Sequence, residues 1–219
     1  MTTIVIASGN RKKLLELQAV LHSRVSPTLK LVPQSDFHIA DAVEDGLSFV
    51  ENAIIKARHA STLSGQPAIA DDSGIEVDAL GGAPGIYSAR FASHYLHGGF
   101  PALPTLPAGA VLVRDNPDAN NNLLLLELLR EVPDAKRSAR FQCAIAMFRF
   151  PGDPMPLICQ GTWEGRIVHK PHGVHGFGYD PLFFVPTHGC TSATLTPDVK
   201  NALSHRAQAL QQLLSRWPL

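Results

Sequence analysis

The chain has 219 residues, 45% of them hydrophobic, with 19 lysines and arginines against 19 aspartates and glutamates. That length suits one substantial core and is short for two full domains, and the even charge offers no global field to nucleic acid or an anionic membrane, so any phosphate recognition must be local. Cys143, Cys159 and Cys190 show no Cys-x-x-Cys spacing, which fits reduced thiols in a cytoplasmic protein better than a disulfide frame or zinc site; no charged leader or bilayer-length apolar run is visible.

Ile4, Val5, Ile6 and Ala7 form the continuous apolar run of a buried strand. Ser8-Gly9-Asn10 then turns the chain into Arg11, Lys12 and Lys13, with Leu14, Leu15, Leu17, Val20 and Leu21 at helical spacing. Cations crowd a helix start that is already partially positive, which is unfavourable unless an anion arrives there; a solvated basic helix start is the other reading. Neither the Walker spacing nor Gly-x-Gly-x-x-Gly is present. Leu29 to Val32 reads as a strand, and the acidic loop Asp41 to Asp45 leads through Gly46 to a helix beginning near Leu47. Phe49, Ala53, Ile54, Ala57 and Ala60 share one side of that helix, which closes near Gly65. Glu44 precedes it and Glu51 lies within it; for either, a solvent-facing charge is the ordinary explanation.

The stretch from Ala68 to Gly85 holds the most chemistry. A short strand, Ala68 to Ala70, runs into Asp71, Asp72, Ser73 and Gly74, and an alternating strand resumes at Ile75, Val77 and Ala79 before a glycine-rich turn at 81–85. Successive strand side chains face opposite ways, so Asp71 and Asp72 cannot serve one partner; one is expected to hold structure while the other faces a cleft. A solvated turn is the plainer alternative, since Asp, Ser and Gly favour turns. Ile86 to Phe91 suggests a short helix or extended piece, and about 94–117 a long irregular loop. Asp118 or Asn121 is then placed to cap a helix through Leu123 to Leu129.

Arg140 to Arg149 and Leu157 to Val168 read as a hairpin turning at Pro151-Gly152-Asp153-Pro154. The glycine-rich loop from His172 to Asp180 carries Phe177 and Tyr179, suited to letting a flat base stack near the backbone, or alternatively a tight connection whose aromatics join the core. Leu182 to Val185 is a buried-looking strand. Thr196 as N-cap and Pro197 as first helical residue open a last helix carrying Lys200, His205 and Arg206. On a continuous helix, Lys200 and His205 would point about 140° apart, so joint action demands a break or a long reach.

Ser8-Gly9-Asn10 with Lys13 and Glu16, Glu51-Asn52-Ala53, Ala70 to Gly74, Gly81 to Gly85, Gly176 to Asp180 and Ser204-His205-Arg206 together resemble the inosine triphosphate pyrophosphatase family, in particular its bacterial members acting on dITP and XTP. The motifs run in order along nearly the whole chain; the loop at about 94–117 is longer than the resemblance leads one to expect. The resemblance implies a single α/β domain over residues 1–219: an elongated mixed β-sheet with flanking helices forming two lobes around a central cleft. It implies a cytoplasmic, Mg²⁺-dependent homodimer that hydrolyses ITP, dITP and XTP to the monophosphate and pyrophosphate, without nucleic-acid or membrane partners.

Such chemistry needs cations for phosphate, carboxylates for the metal and a base for water. Asp72 is accordingly assigned as catalytic acid–base and metal ligand, Glu44 as second metal carboxylate with Glu51 in reserve, and Lys13 as catalytic cation. Ser8, Gly9, Asn10, Arg11, Lys12, Lys13 and Ser73 are expected on the phosphates. Phe177, Gly178, Tyr179, Asp180, Lys200, His205 and Arg206 are expected on the base, where Lys200 and Arg206 donate to a 6-keto oxygen and leave an amino group unpaired. The alternatives are a related pyrophosphatase for other modified nucleotides and a nucleotide-sensing module without catalysis.

Overall fold

The computed structural model describes residues 2–10, 13, 14, 16, 17, 21, 29–106 and 116–216. Arg11, Lys12, Leu15, Val20 and part of the expected loop, 107–115, lie outside the described residues. The strands are β1 (Thr2–Ile6), β2 (Leu29–Pro33), β3 (Ala68–Val77), β4 (Ser138–Phe148), β5 (Leu157–Ile167), β6 (Phe183–Val185) and β7 (Cys190–Thr191). They form one sheet in the order β2-β1-β3-β4-β5-β6-β7. β1 pairs in parallel with β2 and β3, whereas β6 is antiparallel to β5 and β7, so the expected mixed α/β sheet is present. Besides the helical residues described among 13–21, the helices are α1 (Phe49–Ser64), α2 (Phe91–Leu96), α3 (Pro117–Leu128), α4 (Pro197–Leu203) and α5 (His205–Ser215).

The chain divides into two compact units. The first comprises Met1–Ser73, Gln142–Thr162 and Asn201–Leu219. Its core follows the two-residue period of a strand. Ile4, Ile6, Ile69, Ile145 and Met147 pack with Leu17, Leu21, Leu210 and Leu213, while the alternate residues Val5, Ala7, Ala68, Ala70, Ala144 and Ala146 pack with Ala53, Ala57 and Ala60 of α1. The small residues of the second set leave room for α1 to lie close. On the α5 side the approach is closer still, because a Cβ on Gly161 of β5 would fall 2.0 Å from the His205 carbonyl oxygen. A strand glycine here marks backbone against backbone.

The second unit comprises Gly74–Phe141 and Trp163–Lys200. Phe141, Trp163 and Phe183 form an aromatic cluster with centroids 4.6 to 6.4 Å apart. Elsewhere in this unit, Asn121 of α3 accepts from Ala92 N–H at 2.9 Å and donates to the Ser88 and Ala89 carbonyls.

Four local expectations change. β3 runs unbroken from Ala68 to Val77 with no interruption between Ala70 and Ile75, and the alternative of a solvated turn falls because both acids are buried and meet cationic partners. α1 starts at Phe49 on a variant of the capping box: the Ser48 hydroxyl accepts from Glu51 N–H at 3.2 Å, and the Glu51 carboxylate reaches past the N-cap to accept from Leu47 N–H at 2.7 Å. α3 is capped by Asn116, with Pro117 at its first position, and not by Asp118 or Asn121. The expected irregular stretch also starts late, since His94 to Leu96 complete α2.

Candidate functional site

The site is built around the adjacent acids of β3, which the strand turns to different partners. Asp71 is buried at 1% exposure. Its Oδ2 lies 3.4 Å from Lys13 Nζ and accepts from Arg206 Nε and Nη2 at 3.3 and 3.2 Å, and from the Ser73 hydroxyl at 3.3 Å. Arg206 also donates to Ser73 Oγ at 3.0 Å and to Glu16. Burial alone would push the Asp71 carboxyl up, but Lys13, Arg206 and Lys56 outweigh it and hold the group well below the usual carboxylate range. Asp71 is thus a fixed anion.

Asp72 belongs to a second group. Its Oδ1 accepts from Lys56 Nζ at 2.8 Å and its Oδ2 from Asn52 Nδ2 at 3.4 Å. The same Lys56 ammonium donates to Glu44 Oε2 at 3.2 Å. Burial raises the Asp72 carboxyl above its ordinary value; Lys56 and Lys13 pull it down without cancelling that rise, and Glu44 adds to it. Burial opposes the charge on Lys56, yet Asp72, Asp71 and Glu44 together raise its pKa. One acid is therefore locked in its charge, while burial holds its neighbour above the ordinary carboxylate value.

The preceding turn holds itself in shape. The Ser8 hydroxyl accepts from Asn10 N–H, and Asn10 Oδ1 accepts from Lys13 N–H, both at 3.2 Å, so Asn10 opens the helical residues Lys13, Leu14, Glu16 and Leu17. A Cβ on Gly9 would fall 2.4 Å from Asp41 Oδ2, a carboxylate held in turn by Gln34 Nε2. Lys13, Asp71, Asp72, Ser73 and Glu44 are thereby gathered in the first unit, with Ser8, Gly9 and Asn10 leading into the Lys13 turn. Glu51 is occupied in the α1 cap instead.

Lys56 was not singled out from sequence, and Asn52 entered only within the Glu51-Asn52-Ala53 motif. The available signal was their four-residue spacing, which puts both on one face of α1. Asn52, at 1% exposure, also accepts from Gly46 N–H at 2.9 Å and so ties the acidic loop to the helix that carries Lys56.

A metal could enter this group. Among the described residues no cluster of three or more His, Cys, Asp or Glu side chains is set to hold an ion. Mg²⁺, however, commonly takes only one or two protein carboxylates and completes its shell with phosphate and water. Asp72 and Glu44 already converge on one cation, the Lys56 ammonium. Asp71 Oδ1 is in addition buried without a hydrogen-bond partner among the described residues. The donor set fits a hard divalent ion.

In the second unit, Asp180 organises the glycine-rich loop. Its Oδ2 accepts from Phe177 N–H at 2.8 Å and Lys200 Nζ at 2.6 Å, and its Oδ1 from the Ser192 hydroxyl at 2.8 Å. Lys200 Nζ stands 5.0 Å from the centroid of the Phe177 ring. A Cβ on Gly176 would meet Asp180 Oδ2 at 2.0 Å, so the loop closes onto that carboxylate only with glycine there. Tyr179 is buried, donates to the Ser88 carbonyl at 2.9 Å, and has its hydroxyl pKa raised by burial. Phe177, Gly178, Tyr179, Asp180 and Lys200 thus belong together.

His205 and Arg206 fall in the first unit, past the helix break that joint action with Lys200 demanded. Ser204, extended at ψ 158°, ends α4 and caps α5 by accepting from Ala207 N–H at 3.2 Å. Arg206, expected on the base, directs hydrogen bonds to Asp71, Ser73 and Glu16.

The pattern of the Ham1 family matches residues 4–216. The dITP/XTP pyrophosphatase of Pseudomonas syringae pv. tomato is 51% identical over 219 residues, covering 100% of this chain and 98% of that protein. The dITP/XTP pyrophosphatase of Pseudomonas aeruginosa is 49% identical, covering 99% and 97%. A solved HAM1 protein from Coxiella burnetii is similar at a TM-score of 0.82 and 45% identity, covering 99% of this chain and 98% of that one.

Proposed function

The chain belongs to the Ham1 family, and from that membership we propose that it is a nucleoside triphosphate pyrophosphatase. It hydrolyses non-canonical purine triphosphates (dITP, XTP and ITP) to the monophosphate and pyrophosphate, removing them from the nucleotide pool. The observation that carries the chemistry is the pairing of Asp72 and Glu44 on one ammonium beside the fixed anion Asp71.

Asp72, placed between Lys56 and Asn52, is the base that accepts a proton from the attacking water. Lys13, the Ser8 to Asn10 turn with Arg11 and Lys12, and Ser73 bind the triphosphate, while Arg206 and Asp71 fix one another and hold Ser73 in place. Asp72 and Glu44 would hold Mg²⁺, with Glu51 left to its cap. Bound there, the ion supplies charge neutralisation for the triphosphate and the leaving pyrophosphate. The base is read by the Phe177 group: the ring offers a face for stacking, and Lys200, a donor only, accommodates a 6-keto oxygen. A 6-amino group facing that donor leaves it unpaired, at a cost of about 1–3 kcal/mol. Among the described residues no helix is long and apolar enough to cross a membrane. The homodimer and the cytoplasmic location in this reading rest on the family resemblance.

Pyrophosphate release from dITP, ITP, XTP, GTP and ATP, measured in parallel with Mg²⁺ and with EDTA, tests the proposal. Release from the first three that depends on Mg²⁺ is expected; equal turnover of ATP, or none of any, overturns it.

A further inference from the structure

We infer that Asp118 and Asn122 of α3 are positioning residues for base recognition: they hold both backbone groups of Gly178 and thereby set the plane of Phe177. The inference rests on the pyrophosphatase reading and deepens it.

The loop around Phe177 has little conformational preference of its own. Gly176 and Gly178 both lie in the left-handed region, at φ 77° and 59°, where glycine is freest to move. Within the loop, Asp180 ties down the Phe177 N–H and carbonyl on one side, through its carboxylate at 2.8 Å and its own N–H at 3.2 Å. The Gly178 N–H instead donates to Asp118 Oδ2 at 3.0 Å, and the Gly178 carbonyl accepts from Asn122 Nδ2 at 2.9 Å.

Asp118 and Asn122 are four residues apart and so stack on one face of α3. That face is rigidly placed: Asn116 and Pro117 start the helix just before Asp118, and Asn121 anchors it to the Ser88 and Ala89 carbonyls. The Tyr179 hydroxyl reaches the same Ser88 carbonyl. Residues 178 and 179 are thus bound to one frame, and Phe177, immediately before them, keeps its ring beneath Lys200. Neither Asp118 nor Asn122 touches Phe177 or Lys200 in these contacts, so each acts through the Gly178 backbone. Freeing that backbone costs pre-organisation of the stacking face and leaves the acids that handle water untouched.

The test is steady-state kinetics on dITP for Asp118→Ala, Asn122→Ala and Asp118→Asn, with thermal melts alongside. KM is expected to rise about 5- to 10-fold in the two alanine variants with kcat changed less than about twofold, the signature of lost uniform binding. Asp118→Asn keeps an acceptor oxygen and is expected to return KM to within about twofold of wild type. If Asp118→Ala fails to fold, Asn122→Ala carries the same KM test. Unchanged KM in the folded alanine variants, or a loss of kcat that only tracks a lower folded fraction, overturns the inference while a wild type active on dITP keeps the pyrophosphatase reading. A wild type inactive on every purine triphosphate overturns both.

Discussion

Lys56 Nζ lies 2.8 Å from Asp72 Oδ1, so the group assigned to activate water shares a hydrogen bond with a cation from the neighbouring helix. That cation lowers the Asp72 pKa against the raising effect of burial. Lys56→Met removes the restraint, and the Asp72 carboxyl then titrates at higher pH. The acidic limb of the kcat/KM profile is expected to move toward neutrality, so that activity falls most at about pH 5 to 6 and by only about twofold or less at pH 7. A profile from pH 5 to 9 checks this; an unmoved limb counts against Asp72 as the base.

Asp71 and Asp72 are adjacent and should fail in different ways. Asp71→Asn breaks a buried ion pair with Arg206 and is expected to cost about 3–5 kcal/mol of stability, because it leaves the guanidinium without its main partner. Asp72→Asn should leave the melting temperature nearly unchanged while turnover falls by about 10³-fold. Thermal melts and single-substrate kinetics on the two variants separate these roles; substantial activity in Asp72→Asn would sink the assignment.

Gly161→Ala addresses packing alone. The added Cβ would sit 2.0 Å from the His205 carbonyl and 2.8 Å from Ala209 N, both backbone atoms of α5. No rotamer relieves a backbone clash, so α5 must shift, at an expected cost of about 3 kcal/mol or more. Because Arg206 rides on α5, kcat should fall together with the denaturation midpoint. A variant as stable as wild type would show that α5 can move freely on β5.

The turn between β4 and β5 makes a pH prediction. Asp153 accepts from Arg149 Nε and Nη2 at 2.8 and 2.7 Å and from Met155 N–H at 3.0 Å, and the Arg149 hydrogen bonds hold its carboxyl well below the usual range. A carboxyl lowered in the folded state stabilises above the unfolded value, about 3.9, and loses that contribution as pH falls through the folded value. Asp153→Asn should therefore melt lower than wild type at pH 7, with the gap narrowing only below about pH 4. Parallel melts from pH 7 to 3 decide it; a gap that persists unchanged into acid contradicts the charge argument.

What could be read from sequence was what is encoded locally. Ile4 to Ala7 is apolar enough to be only a buried strand, and the Ser48-to-Glu51 cap sits close to the expected helix start. For Asp71 and Asp72 a solvated turn stayed open as an alternative because Asp, Ser and Gly are turn formers by local preference, whereas their partners come from afar; Arg206 lies 135 residues from Asp71. Lys56 resembles any surface lysine until folding brings it to Asp72. Arg206 was legible only in part: a cation next to His205 reads as a ligand for substrate, and nothing local reveals that it also meets a buried carboxylate. That the two acids meet different partners was legible, since it follows from strand alternation alone.

In the first unit Asp71, Asp72, Glu16 and Glu44 meet Lys13, Lys56 and Arg206, so among these described residues opposite charges nearly cancel before any ligand arrives. With the chain as a whole also balanced, an incoming polyanion experiences little pull across the solvent. Encounter is left to diffusion, and discrimination among the many triphosphates of a cell falls to what happens after touch.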